Sequence, residues 1–231
     1  MKYFATILLL LASTAALKAQ KITNKTNAAK PAVCRNLKDS ASYAIGYNIG
    51  QNLANRYGDM DPNMIILAIK DAYAKKNSVI DVNAGQIAVQ NFQQSVEKKK
   101  ADLNKAAGKK FLDENKSKPG VIMTASGLQY QVITMGTGPK PTSTNSVKVN
   151  YAGTLINGKE FDNSAKHGGP AVFKVSGVIS GWTEALQLMP VGSKFKLFIP
   201  SNLAYGDSAM GSDIPAGSTL IFEVELVEIV K

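Results

Sequence analysis

The 231-residue chain is 45% hydrophobic and only 19% charged, a balance that fits packed cores and excludes a disordered chain. A single cysteine, Cys34, and a single histidine, His167, exclude an intramolecular disulfide framework and leave too few ligands for a Cys/His zinc site. The formal charge of +10 comes from basic residues spread through helical and loop segments without interleaved aromatics, which describes a solvated basic surface and not a nucleic-acid site.

The chain opens with Lys2, an apolar stretch over Tyr3–Leu11 and small residues up to Ala19, the layout of a secretory signal peptide cleaved before Gln20. The apolar stretch is short for a membrane span. Cleavage would remove Lys2 and Lys18 and lower the charge to +8. Residues 20–37 are rich in Lys, Asn, Thr and Ala, lack apolar periodicity and read as a flexible tether. Cys34 lies in it as an unpaired thiol, or as one half of a disulfide between two chains.

From Asp39 the pattern turns helical, with Tyr43, Tyr47 and Ala54 on one stripe, Ile45, Ile49 and Leu53 on the next, and Gly46 and Gly50 allowing close approach of another helix. Asp61-Pro62 starts a second helix, Asp61 as cap and Pro62 at the first helical position. Met64, Leu67, Ala68 and Ala72 supply its inner face. A third helix is predicted from about Asp81 to Lys116, ended by Pro119-Gly120, and would extend about 50 Å. Ile87, Val89, Phe92 and Val96 mark its first half; Glu97–Lys100 and Lys109-Lys110 make the second half polar, which predicts a rod bridging two bodies in solvent. Those bodies are the small helical unit before the long helix, about 40 residues and marginal for an independent core, and a C-terminal domain over 119–231; unit and long helix together make a helical domain over 38–118 that is expected to pair with a second copy.

Past Pro119 the period becomes two. Leu128, Tyr130 and Val132, then Val147, Val149 and Tyr151, then Phe195, Leu197 and Ile199, and last Leu220 to Leu226 read as half-buried antiparallel strands. Asn157-Gly158 is a tight-turn signal joining the Tyr151 strand to the one carrying Phe161. Trp182, Ala185, Leu186 and Met189 recur at helical spacing before Pro190. The predicted class is α+β, a curved antiparallel sheet over one short helix, preceded by an all-α domain with a long connecting helix.

Reactive groups are scarce. A nucleophilic triad would depend on His167, in the loop Lys166–Pro170, and no serine stands in a nucleophile-elbow setting. Neither clustered carboxylates nor a phosphate-cradling loop is present, so no metal or cofactor is expected. What remains is a density of aromatic and apolar residues beside turns: Tyr151, Phe161, Asp162, Val178, Ile179, Trp182, Tyr205, Ile214 and Phe222. Core packing accounts for residues such as Val149 and Leu197. It accounts less well for a Trp at a helix start, a Tyr in a loop and an Asp directly after a strand Phe.

The segments Val147–Gly153, Asn157–Ser164, Val178–Trp182, Leu203–Gly206, Ile214-Pro215 and Ser218–Leu226 stand in an order and spacing that resembles the FKBP-type peptidyl-prolyl isomerases. The resemblance covers about residues 120–231, and the helical part is similar in plan to the dimerising segment of exported bacterial members related to Mip and FkpA. It implies an FKBP-like fold and a proline pocket floored by Trp182, walled by Tyr151, Val178, Ile179 and Phe222 and bordered by Ile214. Phe161 and Asp162 would lie near the isomerising amide, and the Tyr205 hydroxyl and Ile179 N–H would donate to the bound peptide. It further implies unfolded or proline-containing polypeptides as substrates, a homodimer through residues 38–118, macrolide inhibition and a periplasmic location. The competing reading is a dimeric chaperone or client-binding module with incidental turnover. Four positions depart from the familiar pattern. Ala171 replaces a wall aromatic, Met210 and Asp213 alter the loop before Ile214, and His167 stands where a basic residue pairs with the pocket Asp, a role that a neutral imidazole is expected to fill poorly.

Overall fold

The structure, a computed structural model, describes residues 34–230; the signal-peptide reading of 1–19 and most of the tether lie outside the described residues. The chain divides into two compact units, one up to Ile65 and one from Ile66 onward.

In the first unit, α1 (Leu37–Arg56) begins where the Asn36 side chain accepts the Asp39 N–H at 2.9 Å. None of its residues is buried. Tyr43 and Tyr47 stack at 6.1 Å, and Ile45 and Ile49, on another side of the helix, are also open to solvent. Helix α2 (Pro62–Tyr73) starts as its sequence predicts, with Asp61 accepting the Asn63 N–H at 2.8 Å.

The second unit contains α3 (Val82–Asn115), capped by Asp81 through the Ala84 N–H at 2.9 Å. Its second half is not a rod standing in solvent. Ala101, Gly108 and Asn115, seven residues apart, are its buried positions and form a seam against the sheet domain. Gly108 carries no side chain where a Cβ would collide with the Thr219 hydroxyl. Asn115 donates its amide to Gln129 Oε1 at 3.0 Å, and Gln129 donates in turn to the Leu112 carbonyl at 2.9 Å, so two buried amides satisfy each other. Phe111 adds a ring contact to Phe198 at 6.0 Å.

The sheet comprises β1 (Val121–Met123), β2 (Gln129–Thr134), β3 (Ser146–Leu155), β4 (Glu160–Asn163), β5 (Ala171–Lys174), β6 (Lys194–Ile199) and β7 (Leu220–Val230). All pairings are antiparallel, in the order β1-β2-β6-β7-β3-β4, with β5 also on β3. One face is covered by α4 (Ser180–Leu188), whose Trp182, Ala185 and Leu186 are buried against Val147, Val149, Leu197, Val224 and Leu226. Asn157-Gly158 forms the expected turn, Gly158 adopting φ +84° and donating to the Leu155 carbonyl at 2.9 Å. The fold class and its antiparallel sheet over one short helix are thus as the periodicities predict.

One irregularity positions the site. The free edge of β3 is shared, β5 pairing with residues 146–149 and β4 with 152–154. Tyr151 falls between them, and its N–H is met by the Ser164 hydroxyl at 3.0 Å. The two short strands therefore diverge around Tyr151.

The α3 seam depends on a missing side chain. Gly108→Val should destabilise the second unit by about 1–3 kcal/mol through overpacking, seen as a lower denaturant midpoint. Ala107→Val, one position away and exposed, should cost less than about 0.7 kcal/mol, the helix-propensity difference. Equal costs would mean that the seam carries no packing.

Candidate active site

Where β4 and β5 diverge, Tyr151, Asp162, Phe173, Gly177, Val178, Ile179, Trp182, Tyr205 and Phe222 enclose a cavity of about 470 Å³. Seven of these are residues singled out from the sequence. Phe161 and Ile214 do not line it: Phe161 stands behind, its ring edge-on to Phe222 at 5.4 Å, and Ile214 is buried in the loop between Tyr205 and β7. Phe161 and Asp162 are neighbours on β4, and alternation along a strand sends their side chains to opposite sides.

Trp182 is the floor. It is 4% exposed and is met edgewise by Tyr151 at 5.4 Å, Phe222 at 5.1 Å and Phe173 at 5.8 Å, with interplanar angles of 81–85°. Such pairings contribute about 0.5–1.5 kcal/mol each beyond the buried area. Phe173 is the wall residue that sequence reasoning missed. Ala171 is small, but Phe173 lies two residues further along β5, on the same face, and touches both Tyr151 and Trp182. The wall is therefore not left open by Ala171.

The polar rim is organised by Asp162. Its carboxylate accepts the Tyr151 hydroxyl at 2.8 Å and the Asn163 N–H at 2.8 Å, and His167 Nε2 lies 2.9 Å from Oδ1. Partial burial pushes the carboxyl pKa up, but the bonds from His167, Tyr151 and Asn163 outweigh it and hold the group below its ordinary value. His167 thus reaches the pocket Asp even without a charge, because a neutral ring protonated on Nε2 also donates a hydrogen bond to the carboxylate. Burial, with the Asp162 bond and charge added, pushes Tyr151 up to about 12. Burial and then the Asp162 charge raise Tyr205. Both phenols keep their protons at neutral pH.

Donors on cavity-lining residues are left over, among them the buried Trp182 Nε1–H. Among the described residues no hydrogen bond is made by the Tyr205 hydroxyl or by the Ile179 N–H, although the Ile179 carbonyl accepts from Trp182 and Thr183 at the start of α4. A wider hollow of about 650 Å³ lies between α3 and the β1–β2 turn, but its cations are already paired, Lys109 and Lys116 with Asp113, and Lys105 with Asp207. The aromatic cavity, with an apolar floor and unpaired donors on its lining, has room and chemistry for an apolar ring attached to a peptide carbonyl.

Comparison with known proteins identifies the family of the domain that carries this cavity. Residues 137–227 match the family model described as FKBP-type peptidyl-prolyl cis-trans isomerase, and residues 38–132 match the domain amino terminal to it. The outer membrane protein MIP of Legionella longbeachae is 42% identical over 84% of this chain and 86% of its own length. The FKBP-type 22 kDa peptidyl-prolyl cis-trans isomerase of Escherichia coli is 44% identical over 84% of this chain and 96% of its own. The crystal structure of FkpA from Escherichia coli superposes with a TM-score of 0.69 at 37% identity, covering 84% of this chain and 97% of that one. The chain belongs to the FKBP-type peptidyl-prolyl cis-trans isomerase family, and isomerisation of the bond preceding proline is its activity.

Since the folded-state pKa of Asp162 lies below its unfolded value, the group contributes stability that is complete above about pH 4 and lost as pH falls through the folded value. Tyr151→Phe removes one bond to the charged form, so the Asp162 midpoint should rise toward the ordinary carboxylate value. Carboxyl carbon NMR titration reads this directly, and an unmoved midpoint would remove Tyr151 from the account.

Proposed function

We infer that the cavity catalyses isomerisation by taking the proline ring onto Trp182 and withdrawing the preceding carbonyl from water. The planar amide is held by resonance, with a barrier of about 18–20 kcal/mol, and resonance places negative charge on the carbonyl oxygen. Twisting removes that resonance, so the twisted amide is the less polar species. A site lined by Tyr151, Phe173, Trp182 and Phe222 replaces water around the amide with ring edges and faces. It therefore disfavours the planar form more than the twisted one.

The Tyr205 hydroxyl and Ile179 N–H anchor the peptide, holding the chain on one side while the bond turns. Asp162 acts through its charge and through Tyr151, fixing that ring; no bond to hydrogen breaks in the reaction, so no proton needs to move. Phe161 and Ile214 support this site from behind. The observation that carries the reading is the aromatic cavity whose lining leaves the Tyr205 hydroxyl and the Ile179 N–H without partners.

The substrates are unfolded or proline-containing polypeptides. The signal-peptide reading of residues 1–19 and the Legionella relative's name as an outer membrane protein support export, with newly exported chains as clients. A bulky macrolide able to fill the cavity would inhibit by competition. Homodimerisation through residues 38–118 accounts for the open apolar residues of α1, where Tyr43, Ile45, Tyr47 and Ile49 are 45–62% exposed.

The full chain should accelerate isomerisation of a proline-containing peptide well beyond the uncatalysed time of about 10–100 s. Tyr205→Phe removes one neutral donor without changing shape and should lower kcat/KM by about 2–10-fold while leaving the melting temperature nearly unchanged. Full activity in that variant would disprove the assignment of Tyr205. Light scattering should give twice the chain mass, and the chain mass after removal of residues 20–80. The same oligomeric state in both would place the dimer contact elsewhere.

A further inference from the structure

Tyr205 sits at the entrance of a loop, residues 206–217, whose stem is closed by the Gly217 N–H donating to the Gly206 carbonyl at 2.9 Å. A smaller hairpin at its tip pairs Met210 with Ile214, and Asp213 is held by Lys159 at 2.8 Å. The tip is therefore tied to the β3–β4 turn, and the stem is tied to α3. Asn104 donates its side-chain amide to the Ala216 carbonyl at 2.8 Å, and Lys105, the next residue, pairs with Asp207. Between them Gly217, at φ +76°, lies against the Ala101 backbone where a Cβ would collide with the Ala101 carbonyl. One turn and a half of α3 thus grips both strands of the stem immediately after Tyr205.

None of these α3 residues lines the aromatic cavity. We propose that Asn104 and Lys105 are positioning residues for isomerisation, holding the stem of the 206–217 loop and with it the Tyr205 hydroxyl at the cavity rim. The inference rests on the reading of Tyr205 as a donor to bound peptide and extends the working site to a helix outside the sheet domain. The two contacts differ in strength. Lys105 and Asp207 are 39% and 69% exposed, where ion pairs contribute little. The half-buried Asn104 amide satisfies a carbonyl that would otherwise lack a partner.

A double-mutant cycle on the full chain tests this, with kcat/KM for a proline-containing peptide measured well below the melting temperature. Asn104→Ala should lower kcat/KM about fivefold alone, but less than about twofold in a Tyr205→Phe background, since loss of position matters only while the hydroxyl is there. The Gly217 amide should exchange its hydrogen faster in Asn104→Ala, which reads the stem itself. Lys105→Ala should show the same coupling at smaller size, and exchanging the charges in Lys105→Asp with Asp207→Lys should restore activity. Should Asn104→Ala not fold, the Lys105 cycle decides alone. An unchanged kcat/KM, or an equal loss in both backgrounds, overturns the proposal. Full activity in Tyr205→Phe alone overturns the site reading and this inference together, so the two failures are told apart.

Discussion

Gly153 has no side chain, and the rings of Phe161 and Phe222 occupy the space that a Cβ would take, each within 2.7 Å of it. The remainder of the site is stacked on this absence. Phe222 can lie close to β3 only there, and its position brings its edge onto Trp182, which Tyr151 and Phe173 then enclose from the other sides. A floor held edgewise by three rings has few ways to relax, so the apolar surface offered to a proline ring is present before substrate arrives. Binding then spends little free energy on ordering the site.

The same enclosure explains why one carboxylate can stand at the rim. Asp162 loses water on one side, which alone would raise its pKa, yet it gains Tyr151, His167 and a backbone N–H as donors. The net effect keeps it charged, and its charge adds to the burial that raises Tyr151 and Tyr205. Aromatic packing and rim electrostatics are therefore one device: Tyr151 serves as a wall of the floor's enclosure and as a donor to the carboxylate, and Gly153 two residues along the same strand makes room for the rest.

Much of this was legible because the signals were local. Asp61 and Asp81 cap their helices from within three residues, and the alternation of Val147, Val149 and Tyr151 needs no knowledge of a partner strand. Long motifs brought Asp162, Trp182 and Tyr205 to notice together. What escaped was relational. Nothing in the adjacency of Phe161 and Asp162 tells which of two opposite faces meets the cavity, and Phe173 shares its face of β5 with the small Ala171, so the pattern alone does not say which of the two forms the wall. The seam of α3 was missed for a physical reason: its buried positions are Ala, Gly and Asn, which form no apolar stripe, so a hydrophobic pattern reads the segment as solvated.

That seam changes what the long helix means. A polar rod would only hold a sheet domain at a distance, and its composition would matter only for solubility. A helix that lies along the sheet domain at Ala101, Gly108 and Asn115 is part of that domain's packing. The choice of small residues is dictated by the backbone and hydroxyl of the 217–219 segment opposite. Thr219 leads directly into β7 and so to Phe222, while Gly217 closes the loop that begins beside Tyr205. The helix therefore touches, within three residues of one segment, the supports of both the apolar floor and the polar anchor. A displacement of α3 would reach the cavity through both at once, whereas the exposed surface of the same helix is free to vary.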